Sequence, residues 1–154
     1  MITGFNHSGF VVKNIDKQVD FYQNVLGLKV IRKTNPGPEG SKHTGIPNAY
    51  RALVFLGKQE NEHLIELVQF IKPQITEDGH VPNTHIGAAH ICFNVTNLME
   101  MYKSMVEKNM KFVTEPVIRT TESGDTTTIC YGQDPEETGW NSLKKPLLNL
   151  GLIF

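Results

Sequence analysis

The chain of 154 residues carries no block of like charge. Fifteen Lys and Arg stand against 16 Asp and Glu, for a formal net charge of −1. That balance leaves no electrostatic footprint for nucleic acid or an anionic membrane surface. No apolar run approaches the roughly 20 residues of a transmembrane helix. The first residues lack a basic stretch followed by an apolar one, so no secretory leader is expected and a cytoplasmic location fits. There are two cysteines, Cys92 and Cys130, both in strand-like segments. That is too few for a disulfide framework. A single Trp and few aromatic residues outside the helical segments argue against an aromatic stacking pocket. What remains is 39% hydrophobic and 20% charged, the mixture of an ordinary globular domain. The length suits one domain or two tightly fused half-size modules.

One pattern occurs twice. His7, Phe10, Val12, Asn14 and Ile15 recur as His90, Phe93, Val95, Asn97 and Leu98 at the same offsets. An internal repeat implies similar modules packed around a pseudo-twofold axis. Matched positions then approach that axis, so His7 and His90 are expected to come together.

The elements repeat too. Ser8 to Val12 reads as a strand, followed by Asn14 as a helix N-cap with Asp16 in the first turn. Val19, Tyr22, Val25 and Leu26 follow at helical spacing, and Gly27 is the expected stop. Leu28 to Arg32, Arg51 to Leu56 and His63 to Phe70 read as strands. Between them, Thr34 to Tyr50 is rich in Pro and Gly and reads as a loop. In the second copy Ala88 to Val95 is a strand and Asn97 caps a helix. Lys111 to Thr114, Val117 to Arg119 and Thr126 to Tyr131 are strands. A fourth strand should follow Asp134-Pro135, but no segment there has the expected pattern. The expected organisation is module one at 4–71, a linker at 72–85, module two at 86–145 and an atypical tail at 137–154. The fold class is α+β, with two βαβββ modules.

Strand alternation puts Glu66 on one face with Leu64, Val68 and Phe70. A carboxylate there is costly to bury unless it is paired or bound to a cation. With two histidines expected nearby, a divalent metal is the economical partner. Imidazole and carboxylate suit Zn, Mn, Fe, Co or Ni better than Ca or Mg.

The segments HSGFVVKNIDKQVDFYQNVLGLKV, HLIELVQF, AHICFNVTNL and CYGQDPE resemble the vicinal oxygen chelate superfamily. That group includes glyoxalase I, methylmalonyl-CoA epimerase, extradiol dioxygenases, and fosfomycin and bleomycin resistance proteins. The resemblance spans about residues 4 to 136. It implies that the first and last strands of each module each give a metal ligand: His7 and Glu66 from module one, His90 from module two. Glu at position 66 is similar to the glyoxalase pattern, whereas the epimerases tend to an amide there and the extradiol dioxygenases to histidine.

The resemblance also implies a fourth ligand, the Glu of a GNxxEL-like continuation after QDPE. By count that place falls on Asn141. An EGNWMELLEKT coding stretch with suitable codons, losing one nucleotide after its first codon, reads EETGWNSLKKP. That is the sequence of residues 136 to 146. A frameshifted terminus lacking the fourth ligand is therefore one reading, and a diverged terminus is the other. Neutral Asn is a weaker ligand than a carboxylate and is no general base near neutral pH.

What the family implies for function is a lyase or isomerase of glyoxalase or epimerase type. A divalent metal would stabilise an enolate or enediolate, and Glu66 would be the catalytic carboxylate. Lys42, His43 and Arg51 are the expected substrate contacts. The alternative is a non-catalytic protein that binds a drug or another small molecule. A small-molecule partner, a homodimer, and no nucleic-acid or membrane partner complete the expectation.

Overall fold

The structure, a computed structural model, describes residues 1–75, 86–136, 141–144 and 150–153. It divides into two compact units, Met1–Asp78 and Gly79–Phe154. Both are mixed α+β.

Unit one runs β1 (His7–Val11), α1 (Ile15–Asn24), β2 (Lys29–Thr34), α2 (Pro38–Ser41), a 3-10 turn (Lys42–Thr44), β3 (Tyr50–Gly57) and β4 (Leu64–Lys72). The Asn14 side chain accepts from the Lys17 backbone N–H at 3.0 Å, which satisfies one of the free donors at the start of α1. Asp16 sits in the first turn, where the helix dipole favours negative charge. Gly27 has φ 72 and donates to the Gln23 carbonyl, while Leu28 donates to Tyr22. A left-handed residue thus closes α1, as glycine allows without strain.

The sheet order is β1-β4-β3-β2, with β1 parallel to β4 and the other neighbours antiparallel. Helix α1 packs on β3 and β4. By alternation, Val54, Leu56, Ile65 and Leu67 share one face and are buried. On the other face Leu53, Phe55, Leu64 and Val68 form a buried cluster, with Ile31 and Phe70 packed against it. Burial on both faces explains why β3 and β4 read as nearly continuous apolar runs.

One polar group interrupts the packing. Gln18 on α1 is 0% exposed, and neither amide atom has a hydrogen-bond partner. An unmade buried hydrogen bond costs about 1–3 kcal/mol. Gln18→Met is therefore expected to raise stability by about 1–2 kcal/mol, seen as a higher urea midpoint at unchanged m. A lower midpoint would show that the amide is satisfied in solution.

Unit two runs β5 (Cys92–Asn94), α3 (Leu98–Glu107), β6 (Lys111–Phe112), β7 (Val117–Thr120), β8 (Thr126–Cys130), β9 (Gly132–Gln133), β10 (Asn141–Lys144) and β11 (Leu150–Ile153). Asn97 and Glu100 cap α3 reciprocally. The Asn97 carbonyl oxygen accepts from the Glu100 N–H, and its amide donates to the Glu100 carboxylate at 2.7 Å. The main sheet has the order β11-β5-β10-β8-β7, with β11 also pairing antiparallel to β10, and β6 pairs with β9. Removing β11 leaves β5-β10-β8-β7, the same order and the same senses of pairing as β1-β4-β3-β2.

Four expectations change. The Thr34–Tyr50 segment is not all loop: it holds α2 and the 3-10 turn. Its Pro38 lies in the first turn of α2, the one helical place where a missing N–H costs nothing. The first strand of unit two is Cys92–Asn94 rather than Ala88 to Val95, because its ladders with β10 and β11 both cover just these three residues. The fourth strand lies at Asn141–Lys144. The tail contributes a further strand, β11, paired antiparallel to β5. Residues 76–85 of the expected linker, with His80 and His85, and Trp140 lie outside the described residues.

Cys130 at the end of β8 is 0% exposed and its thiol donates to the Thr114 carbonyl at 3.5 Å. Desolvation pushes that thiol up to about 12. Because the folded value lies above the unfolded one, this thiol's contribution is whole below about pH 8.5 and lost as pH rises towards 12. Stability is expected to fall across that window, and to fall less in Cys130→Ala. Urea titrations at pH 8 and pH 10 check this, and equal losses in both proteins would refute it.

Candidate metal centre

In unit one, β1 and β4 lie side by side in parallel, with His7 opposite Leu64 and Gly9 opposite Glu66. The His7 Nε2 atom stands 3.3 Å from Glu66 Oε2. The other ring nitrogen, Nδ1, meets the Asn6 side-chain oxygen at 2.7 Å. An outer partner on one ring nitrogen, with the other nitrogen turned to a carboxylate, is the arrangement that orients a metal-binding histidine.

The surroundings are largely apolar. Phe55 and Glu66 are opposite each other, as are Arg32 and Phe55. Gly9, Glu66, Phe55 and Arg32 therefore form one row across the sheet. The His7 ring meets Phe55 edge-on at 5.5 Å, and the Arg32 guanidinium lies 4.1 Å from the centre of the same ring. Glu66 is 15% exposed and His7 37%. Gly9 gives the carboxylate its room: a Cβ at this position would stand 3.2 Å from Glu66 Oε2.

The donor set fits a divalent ion. Nitrogen and oxygen ligands at about 2.0–2.2 Å from one ion stand about 3.0–3.5 Å apart, which brackets the His7–Glu66 separation. Among the described residues, no group of three or more His, Cys, Asp or Glu side chains is gathered that could hold a metal ion. The pair in unit one supplies two.

In unit two, His90 is exposed and lies just before β5, with its ring 6.5 Å from that of Tyr131. The backbone of Asn141 is opposite Cys92 on the parallel neighbour β5. Cys92 follows His90 by two residues, as Gly9 follows His7. The backbone of Asn141 thus holds in unit two the register position that the backbone of Glu66 holds in unit one.

Arg51, at the start of β3, is 7% exposed. Its Nε donates to Ser41 Oγ at 3.1 Å, and an Nη meets His43 Nε2 at 3.4 Å. Lys42 is exposed in the 3-10 turn. His63 pairs instead with Ser8 Oγ at 2.9 Å and with the Phe5 ring. Sequence reasoning missed Asn6, Gly9, Arg32 and Phe55 at the centre, and Ser41 at Arg51. Once β3 and β4 are known to be antiparallel, alternation puts Phe55 on the face of Glu66. The partners of Asn6 and Ser41 carry no pattern in the sequence.

No helix among the described residues is long and apolar enough to cross a membrane. The chain is 27% identical over 118 residues to the uncharacterized protein YwbC of Bacillus subtilis strain 168, covering 76% of this chain and 80% of that one. A glyoxalase family protein from Bacillus cereus superposes with a TM-score of 0.81 at 19% identity, over 94% of this chain and 95% of that one. The trypanothione-dependent glyoxalase I of Leishmania major gives 0.60 at 20% identity, over 90% and 84%. At such identities these two solved structures establish the fold alone. The family model of the Glyoxalase/Bleomycin resistance protein/Dioxygenase superfamily matches residues 4–141, and the chain belongs to that superfamily.

Proposed function

We propose that the chain is a metal-dependent lyase or isomerase of glyoxalase or epimerase type. The observation that carries this is the His7–Glu66 pair, 3.3 Å apart on a largely apolar sheet face. His7 and Glu66 are two ligands, and His90, matched to His7 in the repeat, is the third. A divalent ion held by these residues would supply positive charge to stabilise developing negative charge on substrate oxygens. Glu66 would take a proton from the carbon beside the substrate carbonyl and return it. Glu66 shares its sheet face with Leu53, Phe55, Leu64 and Val68 and is 15% exposed, which limits the access of water to its carboxylate. Lys42, His43 and Arg51 contact the substrate.

Asn141 holds the fourth place and cannot accept a proton near neutral pH. We read residues 136 to 146 as the product of a one-nucleotide shift. Homologous genes encoding a GNxxEL-like stretch in the neighbouring frame test this, and homologues that share the present sequence refute it. The amide also favours a second reading, a small-molecule-binding protein without catalysis.

Titrating wild type and Asn141→Glu with zinc or manganese by calorimetry tests the proposal. The added carboxylate is expected to tighten binding about tenfold or more, since ligand charge helps set affinity for a divalent ion. Equal affinities would remove Asn141 from the fourth place. No binding by either protein would sink the metal centre and leave the second reading.

A further inference from the structure

Arg51 is a buried cation with neutral partners. It is 7% exposed, yet no carboxylate lies within 4.0 Å of its guanidinium among the described residues. Buried charges are ordinarily paired, because their desolvation is otherwise uncompensated. The side-chain contacts of Arg51 are the Ser41 hydroxyl and the His43 ring, at 3.1 and 3.4 Å. They engage two of the five N–H donors of a guanidinium. Among the described residues, the fully buried side-chain atoms without a partner are both in Gln18. The guanidinium nitrogen of Arg51 that has no partner, Nη1, is therefore not fully buried. One edge of the fork is held and the other is open.

The held edge is fixed in advance. The Ser41 Oγ donates to the Pro36 carbonyl at 3.0 Å, and the Arg51 backbone N–H donates to the same carbonyl at 3.1 Å. A planar fork held open in this way matches a carboxylate or phosphate. Arg51 also shares a sheet face with Phe55, four residues along β3, and Phe55 lies opposite Glu66. Four residues of strand span about 13 Å.

We propose that Arg51, flanked by Ser41 and His43, is an oxyanion seat for the anionic end of an elongated substrate. The placing of the other end rests on the metal-centre reading. The substrate is then a carbonyl compound whose carboxylate or phosphate lies on the order of 10 Å from its chelated oxygens. A three-carbon carbonyl compound alone does not reach both places.

The test uses metal-stripped protein, so that it does not depend on the metal centre. Inorganic phosphate and acetate are titrated separately while the Arg51 Nε–H resonance is followed by 15N NMR. A saturable shift with at least one anion is expected. Phosphate alone acting points to a phosphate end, and acetate alone to a carboxylate end. In Arg51→Met the affinity, followed on neighbouring amides, should fall at least tenfold. In Arg51→Lys, which keeps the charge and loses the fork, it should fall less. No saturable shift of wild type with either anion overturns the seat, whatever the variants do, and so does unchanged affinity in a folded Arg51→Met. Loss of zinc binding with the anion shift intact would sink the metal centre alone, and the reverse would sink the seat alone.

Discussion

Glu66→Ala is expected to lower the affinity for zinc or manganese roughly a hundredfold or more, and to leave the metal-free protein at least as stable as wild type. The two halves of the result have one cause. The carboxylate is mostly buried, among apolar neighbours, with one imidazole as its close partner. Burying an ionised group is costly unless its partners repay the cost, so removing it relieves the metal-free fold. The same removal takes a charged ligand from the ion. Glu66→Gln keeps the shape and loses the charge, and should fall between the two. Calorimetry and urea unfolding of stripped protein read the two effects separately. Unchanged metal affinity would refute the centre. A marked loss of metal-free stability would make Glu66 a structural partner of His7.

Leu56→Ala is expected to destabilise the protein by about 2–5 kcal/mol. That is a large share of the roughly 5–15 kcal/mol that holds a typical domain together. Leu56 is 0% exposed, opposite Val30 on β2 and Ile65 on β4. A cavity there lies in the middle of the sheet, where neighbours on both strands are held by their ladders and cannot collapse into it. Val11→Ala on the same sheet is the control, since Val11 is 60% exposed and should change stability by no more than about 0.5 kcal/mol. Chemical unfolding decides between them. A loss below about 1 kcal/mol at Leu56 would mean that the site repacks.

Much of the architecture was legible because it rests on local chemistry. Asn14 and Asn97 cap their helices through their own side chains, and Gly27 ends α1 with a positive φ. The proximity of His7 and Glu66 has another source. It follows from one parallel register, Gly9 opposite Glu66, which the family resemblance implied and no propensity encodes. What stayed hidden depends on partners far along the chain. Asn141-Ser142-Leu143-Lys144 has no β-branched residue, yet it is a strand because β5 and β8 flank it. Arg51 looks like a surface cation in sequence. Its burial depends on Ser41 and His43, which the short helical turns after Pro38 bring across it.

Strand β11 makes the two sheets unlike in their capacity to recruit more chain. In sheet one, β1 is a terminal strand with β4 as its ladder partner, and among the described residues no other strand pairs with it. In sheet two, the corresponding side of β5 is taken by Leu150–Ile153. Strand addition to sheet one at β1 needs no displacement within that sheet, whereas at β5 it needs Leu150–Ile153 to leave. The repeat is thus two-fold in sequence and unequal at its matched sheet edges.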